Sequence, residues 1–237
     1  DHCMRAVNSS LKFGIHGLPL IGSGDWNDSL NSVGDEGKGE SIWLAWFTLA
    51  TLSEFIKVLE KVNRKEDADR FSKIYEELKD NVNKHGWDGE WYLRAYFDEG
   101  TLLGSRVNNE CAIDSISQSW SVISGAAPLE RQKEAMVNHE KYLEDKENNL
   151  IKLLAPPFKN SVPFPGYIQG YPEGTRENGG QYNHAVVWVM KAYTMLKDGD
   201  KAYEIANVLN PIGRSMDIDS MKKYKLEPYV MAGDIYS

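Results

Sequence analysis

The stretch IWLAWFTLATLSEFIKVLEKVNRKEDADRFSKIYEELKDNVNKHG (residues 42–86) decides the fold. Ile42, Trp46, Leu49, Leu52, Ile56, Leu59 and Val62 recur at steps of three and four, the broad apolar face of a helix. Lys57, Glu60 and Lys61 fall opposite. Asn63-Arg64-Lys65 is a short polar turn. Phe71, Ile74, Tyr75, Leu78 and Val82 then repeat the helical spacing, and His85-Gly86 ends it. Two helices joined by so short a turn are antiparallel neighbours.

The same rhythm continues outward. Ile113 to Ala126 is helical, with Ile116, Trp120 and Ile123 on one face, and Pro128 opens a further helix running to about Lys146. Helices resume at Gln181 to Leu196 and at Asp198 to Leu209, and an apolar tail runs from Tyr224 to Ser237. Between these, WDGEWYLRAYF (87–97) has a turn pair, Asp88-Gly89. Trp91, Leu93 and Ala95 alternate with Tyr92, Arg94 and Tyr96, which reads as a short hairpin or extended loop. There is no repeat of fixed period, but the succession of helix pairs implies an all-α chain of the α/α toroid or solenoid kind. In a toroid, the loops at one end of the helices build the site.

Composition narrows the function. The chain has 237 residues, 41% hydrophobic and 26% charged, an ordinary globular balance. No apolar run approaches the roughly 18 residues of a membrane span. The densest, Ile42 to Leu52, is broken by Thr48 and Thr51. The start, Asp1-His2-Cys3-Met4-Arg5, has neither a signal-peptide pattern nor an initiator Met, so a fragment or processed product is expected. A net charge of −8 argues against nucleic acid. Cys3 and Cys111 form no metal or redox pair by spacing and suggest a reduced compartment. His2, His16, His85 and His139 have no metal spacing, and G-x-S-x-G, P-loop and G-x-G-x-x-G motifs are missing. Asp88, Glu90 and Glu110 read as surface or turn carboxylates. Seven Trp and 12 Tyr are many; most read as filling a helical core, and composition alone does not separate these from rings lining a carbohydrate cleft, where flat sugar faces stack.

Two loops stand out. GLPLIGSGDWNDSLNSVGDEGKG (17–39) carries six glycines and four carboxylates, Asp25, Asp28, Asp35 and Glu36. Capping and turn closure account for some of Asp25, Asn27 and Asp28. Asp25, Asn27, Ser29 and Glu36 have calcium-loop spacing, but Leu30 stands where such a loop needs Gly. The remaining reading is acid catalysis on a sugar. The apolar wall of Trp26 keeps a neighbouring carboxyl protonated, and either Asp25 or Asp28 then gives its proton to a departing glycosidic oxygen. The second loop, 153–180, holds five of the nine prolines, and Phe158, Phe164, Tyr167 and Tyr171 argue that it is ordered. It ends in TRENGGQYNHAVVW (175–188), where Gly179-Gly180 lead into a helix whose N-terminus is an anion site. Arg176 and His184 add donors. Glu177 would repel phosphate and suits sugar hydroxyls. The blander reading makes Glu177 and Asn178 caps and His184 a satisfied helix residue.

With both loops in view, the chain resembles the glycoside phosphorylases of glycoside hydrolase family 94. GLPLIGSGDWNDSLNSVG (17–34), KGESIWLAWF (38–47), RENGGQYNHA (176–185) and YKLEPYVMAGDIYS (224–237) carry the likeness. SRVNNECAIDSISQSWSVISGAA (105–127), PPF (156–158) and PGYIQGYPEGTRENGGQY (165–182) resemble one branch, the phosphorylase-like domain of cyclic β-1,2-glucan synthases and the 1,2-β-oligoglucan phosphorylases.

The resemblance implies an (α/α)6 barrel and inverting phosphorolysis. Phosphate attacks a terminal β-glucosyl unit, an Asp protonates the leaving oxygen, and α-glucose 1-phosphate results. It implies no metal, no cofactor beyond phosphate as co-substrate, and no general base, because phosphate is already anionic. It makes Asp28 the general acid, sets Trp26 against the sugar, gives Arg176 and Glu177 to the glucosyl unit and His184 to phosphate, and leaves Asp25 structural. It also implies that residues 1–237 are the later part of a catalytic domain. Relatives carry a β-sandwich and early barrel helices before this region, with a phosphate-binding Arg, and a Thr-Gly phosphate contact after it. The expected partners are a β-gluco-oligosaccharide, β-1,2 by the Pro-rich loop, and phosphate; a homodimer is compatible. The expected location is cytoplasmic, or the cytoplasmic side of a membrane-bound synthase. The alternatives are an inverting β-glucosidase on the same barrel and an inactive carbohydrate-binding fragment.

Overall fold

A computed structural model describes residues 1–237. Eight helices dominate: α1 (His2–Ser10), α2 (Ile42–Lys61), α3 (Lys65–His85), α4 (Ser115–Ile123), α5 (Leu129–Leu143), α6 (Asn183–Met195), α7 (Gly199–Leu209) and α8 (Ile218–Tyr224). Strands are two-residue pieces that pin loops. Glu40–Ser41, Ala95–Tyr96 and Leu102–Leu103 make a small antiparallel sheet with 95–96 in the middle. Ile113–Asp114 pairs with Leu154–Ala155, Glu144–Asp145 with Leu150–Ile151, and Gln181–Tyr182 with Asp234–Ile235.

The helices pack in two rows. Helix α4 lies between α2 and α6, and each of these three carries the next helix in sequence on its back: α3 on α2, α5 on α4, α7 on α6. The inner three are the more apolar, as burial between neighbours on several sides requires. Ile42, Trp46, Leu49 and Leu52 are fully buried, while Val62, read as the last member of that face, is exposed. The helix ends at Lys61 and Asn63 turns left-handed (φ 59°), so Val62 lies past the packed face. Helix α2 is also long and apolar enough to cross a membrane by length and composition; here it is a core helix with eight buried residues.

Three expectations shift. The helix read from Ile113 begins at Ser115, because 113–114 are drawn into a ladder with 154–155, and Asp114 becomes the cap whose carboxylate accepts the N–H groups of Ile116 and Ser117. The helix read to Lys146 ends at Leu143, where a second ladder starts. In 87–97, Asp88 and Trp91 close the turn, but the residues after it form the sheet's middle strand rather than one arm of an isolated hairpin. Both alternating sets there are therefore largely buried, including Arg94. The long loop 153–180 is ordered as read, with Phe158 and Ile168 buried in the core beside Ile21, Leu30 and Val33.

Candidate functional site

The loop at 17–39 is built on buried charge. Asp25 does not face solvent. Arg94 grips it with both terminal nitrogens, Nη1 to Oδ2 at 2.7 Å and Nη2 to Oδ1 at 2.6 Å, and the Ser41 hydroxyl donates to Oδ2 at 2.6 Å. Ser41 caps α2, accepting the Leu44 N–H, and Arg94 Nε lies 3.4 Å from Asp114, the cap of α4. Asp25, Arg94 and Asp114 have no side-chain exposure beyond 1%. Burial works to raise the Asp25 carboxyl, and the Arg94 charge overrides it and leaves it below the usual range. Asp114 receives less from Arg94, and burial pushes it up to about 6.

This network leaves Asp28 and Trp26 as the groups the loop presents. Asp28 is exposed, and the phenol of Tyr167 lies near its carboxylate. Burial and that carboxylate push Tyr167 up to about 12. The calcium reading loses its donors: Asp25 is taken by Arg94, Asn27 accepts from Ser29, and Glu36 pairs with Lys38.

The second loop docks directly on the first. Ile168 N–H donates to Ser29 O, Tyr167 N–H to Asn31 Oδ1 at 3.0 Å, and Ser32 N–H to Pro165 O. Gly166 (φ 124°) is required there, since a Cβ would stand 2.5 Å from Asn31 Oδ1 and 2.6 Å from Ser29 O.

Gly179-Gly180 do not lead straight into the helix. Gln181–Tyr182 form a strand first, and α6 begins at Asn183, which puts His184 in its first turn and exposed. Asn178 is structural, as the blander reading had it: it accepts the Phe158 N–H and donates to the carbonyls of Phe158 and Tyr171. Glu177 is not a cap. It is 8% exposed, Arg176 Nε stands 3.5 Å from its Oε2, and that buried oxygen has no hydrogen-bond partner. The ion pair thus leaves that oxygen without a hydrogen bond, which is uncommon for a buried polar atom. Arg176, left-handed at φ 50° and half-exposed, lies over the Tyr171 ring.

The two loops meet at Trp26. Its indole Nε1 donates to His184 Nδ1 at 3.1 Å across 158 positions of sequence. Its ring stands edge-on to Tyr182 at 5.3 Å and packs against Trp188 at 5.4 Å. Tyr182 sits among the charges: burial first, then Glu177, with Asp234 and Asp28 contributing, raise its phenol, and Arg176 opposes them. All five side chains singled out in the sequence thus lie in one neighbourhood: Asp28, Trp26, Arg176, Glu177 and His184. The caps of α2 and α4, Ser41 and Asp114, meet the buried Asp25–Arg94 pair beneath it, and His184 stands in the first turn of α6. Three participants were not singled out. Arg94 is a lone charge in the aromatic run 91–97, and Asp234 a lone carboxylate in an apolar tail, with a buried and unpartnered Oδ2. Tyr167 counted only as an aromatic that orders its loop.

The helical frame thus carries two docked loops that bring together an exposed carboxyl, a cluster of aromatic rings and an imidazole. The chain belongs to the glycosyl hydrolase 94 superfamily, whose catalytic-domain model matches residues 1–237. It is 42% identical over 237 residues to the cyclic beta-(1,2)-glucan synthase NdvB of Rhizobium meliloti (strain 1021), covering 100% of the chain and 8% of that protein. It is 35% identical over 213 residues to the solabiose phosphorylase of Paenibacillus borealis, covering 89% of the chain and 28% of that protein. With the N,N'-diacetylchitobiose phosphorylase of Vibrio proteolyticus it shares 28% identity over 232 residues, 97% of the chain and 28% of that protein. The chain thus spans between 8% and 28% of the length of these relatives.

Proposed function

We propose that these residues carry the acid and part of the phosphate site of an inverting glycoside phosphorylase acting on a terminal β-glucosidic bond, with β-1,2-glucan oligosaccharide as substrate. The observation that carries this is the Trp26–His184 hydrogen bond, which joins the loop bearing Asp28 to the helix end bearing an imidazole. In this reading a phosphate oxygen bonds to the anomeric carbon from the face opposite the leaving group. The glycosidic C–O bond breaks, its electron pair stays on the leaving oxygen, and that oxygen takes the Asp28 proton. Tyr167 stands beside the Asp28 carboxyl, Trp26 walls the sugar, and Glu177, with Arg176 beside it, accepts from glucosyl hydroxyls. His184, in the first turn of α6, holds the phosphate. Similarity to a cyclic β-1,2-glucan synthase supports the β-1,2 linkage. The rows α2–α4–α6 and α3–α5–α7 fit the later part of an (α/α)6 toroid.

The test is phosphorus NMR of the chain, and of the chain extended at both ends, with phosphate and β-1,2, β-1,3 and β-1,4 gluco-oligosaccharides. A signal of α-glucose 1-phosphate from the β-1,2 substrate is expected. Free glucose without phosphate would move the assignment to a β-glucosidase, and binding without turnover in the extended chain to a binding module. Asp28→Asn in the active form should lower kcat at least a hundredfold with oligosaccharide binding intact; unchanged turnover would sink the role of Asp28.

A further inference from the structure

We propose that Trp26 is a positioning residue for His184: its indole N–H locks the imidazole in the Nε2–H tautomer and so aims a neutral N–H donor, not a lone pair, into the site. This rests on the reading of His184 as a phosphate ligand for its purpose, though not for its geometry.

The donor assignment follows from chemistry. An indole Nε1–H can only donate. At 3.1 Å from His184 Nδ1 it requires a lone pair on that nitrogen, so the ring proton sits on Nε2. An Nδ1–H would set two donors against each other. In a metal site or a catalytic triad the second imidazole nitrogen usually donates to a carbonyl or carboxylate. Here it accepts, and the opposite nitrogen becomes the donor. The ring has little freedom to escape. Trp188, one turn on along α6, packs on the imidazole at 4.2 Å between ring centres, and Trp26 stands edge-on to it at 5.6 Å. Trp26 itself is braced by Tyr182 and Trp188. Because the face of Trp26 is also the proposed sugar wall, a bound glucosyl unit and the phosphate donor share one rigid aromatic unit, and each ligand should find the other's half of the site already ordered.

Trp26→Phe keeps a ring and deletes the one N–H. Long-range nitrogen–proton NMR of the labelled chain reads imidazole tautomers directly, and His184 is assigned among the five histidines by the signals lost in His184→Asn. Wild type should show His184 as Nε2–H, and Trp26→Phe should show both tautomers. An Nδ1–H in wild type, or an unchanged tautomer in a folded Trp26→Phe, overturns the lock. Should Trp26→Phe fail to fold, the wild-type tautomer still decides. Inorganic phosphate titrated into the chain extended at both ends should shift His184 Nε2, and in Trp26→Phe it should bind about three- to tenfold more weakly, the loss of one oriented hydrogen bond. Equal phosphate affinity overturns the coupling. Phosphate that leaves His184 untouched, with the Nε2–H tautomer in place, defeats the phosphate reading and leaves the lock standing.

Discussion

The two loops that meet at Trp26 are held by different forces. Residues 17–39 are fixed by full charges: Asp25 buried on Arg94, the buried Glu40 accepting the N–H groups of His16 and Leu18, and the partly exposed Asp98 accepting those of Glu36, Lys38 and Gly39. The buried part of residues 153–180 is fixed by neutral amides, with Asn178 bridging Phe158 and Tyr171 and Asn31 catching Tyr167, while at the exposed rim the Glu110 carboxylate accepts the N–H groups of Lys159 and Asn160. The first device is directional and strong, but it depends on every partner being present and on protonation. The second spreads its strength over several bonds of modest worth, and its buried amides do not titrate. The loop that presents Asp28 is the one held by charge.

Removing the hub of the charged loop should show the largest effect. Arg94→Met strands Asp25 and Asp114 in the core, and urea unfolding should report a loss of about 3–5 kcal/mol. A loss under about 1 kcal/mol would mean that the network is incidental. Asn178→Ala removes three hydrogen bonds from the neutral loop, and the same measurement should give about 2–3 kcal/mol, equal at pH 5 and pH 7. A pH-dependent cost would erase the contrast between the loops.

The third test sharpens it. Asp114 is raised in the folded chain, from 3.8 to about 6, so the folded state holds the extra proton between these values. Its contribution to stability is present below 3.8 and lost as pH rises through about 6. His139, pushed down to about 3 by burial, works the other way: its contribution is present above 6.5 and lost as pH falls. Asp114→Asn keeps a capping oxygen but does not titrate. Relative to this variant, wild type should therefore gain stability as the buffer is taken from pH 7 to pH 4, with His139 cancelling in the comparison. A flat difference would remove Asp114 from the pH response. The smallest effect is expected at Glu177→Gln. Relieving an unpartnered buried carboxylate should leave the unfolding midpoint unchanged or higher, while oligosaccharide binding falls. A marked loss of stability would show that Glu177 serves the fold.

The sequence disclosed what is local. Helical spacing placed the α2–α3 pair, because each apolar position answers to its own helix and the one beside it. It misplaced helix starts wherever a partner far along the chain decided them: residues 113–114 and 181–182 became strands because 154–155 and 234–235 pair with them. The site followed the same rule. Asp28, Trp26, Glu177 and His184 stand out because glycines and aromatics crowd around them. Arg94 gave no such sign, for its meaning lies in Asp25, 69 positions away. Asp234 is hidden likewise, as its place beside Gln181–Tyr182 comes only with the tail's return to the site.

The reach of the Trp26–His184 contact has a kinetic side. Loop closure becomes costlier as the closed segment lengthens, and a bond across 158 positions is among the last for which a folding chain gains. The helix pairs, whose contacts are near neighbours in sequence, can form without it. The indole of Trp26 is thus a late reporter: its environment should change after helical signal has been recovered, when an already packed frame closes over its two loops.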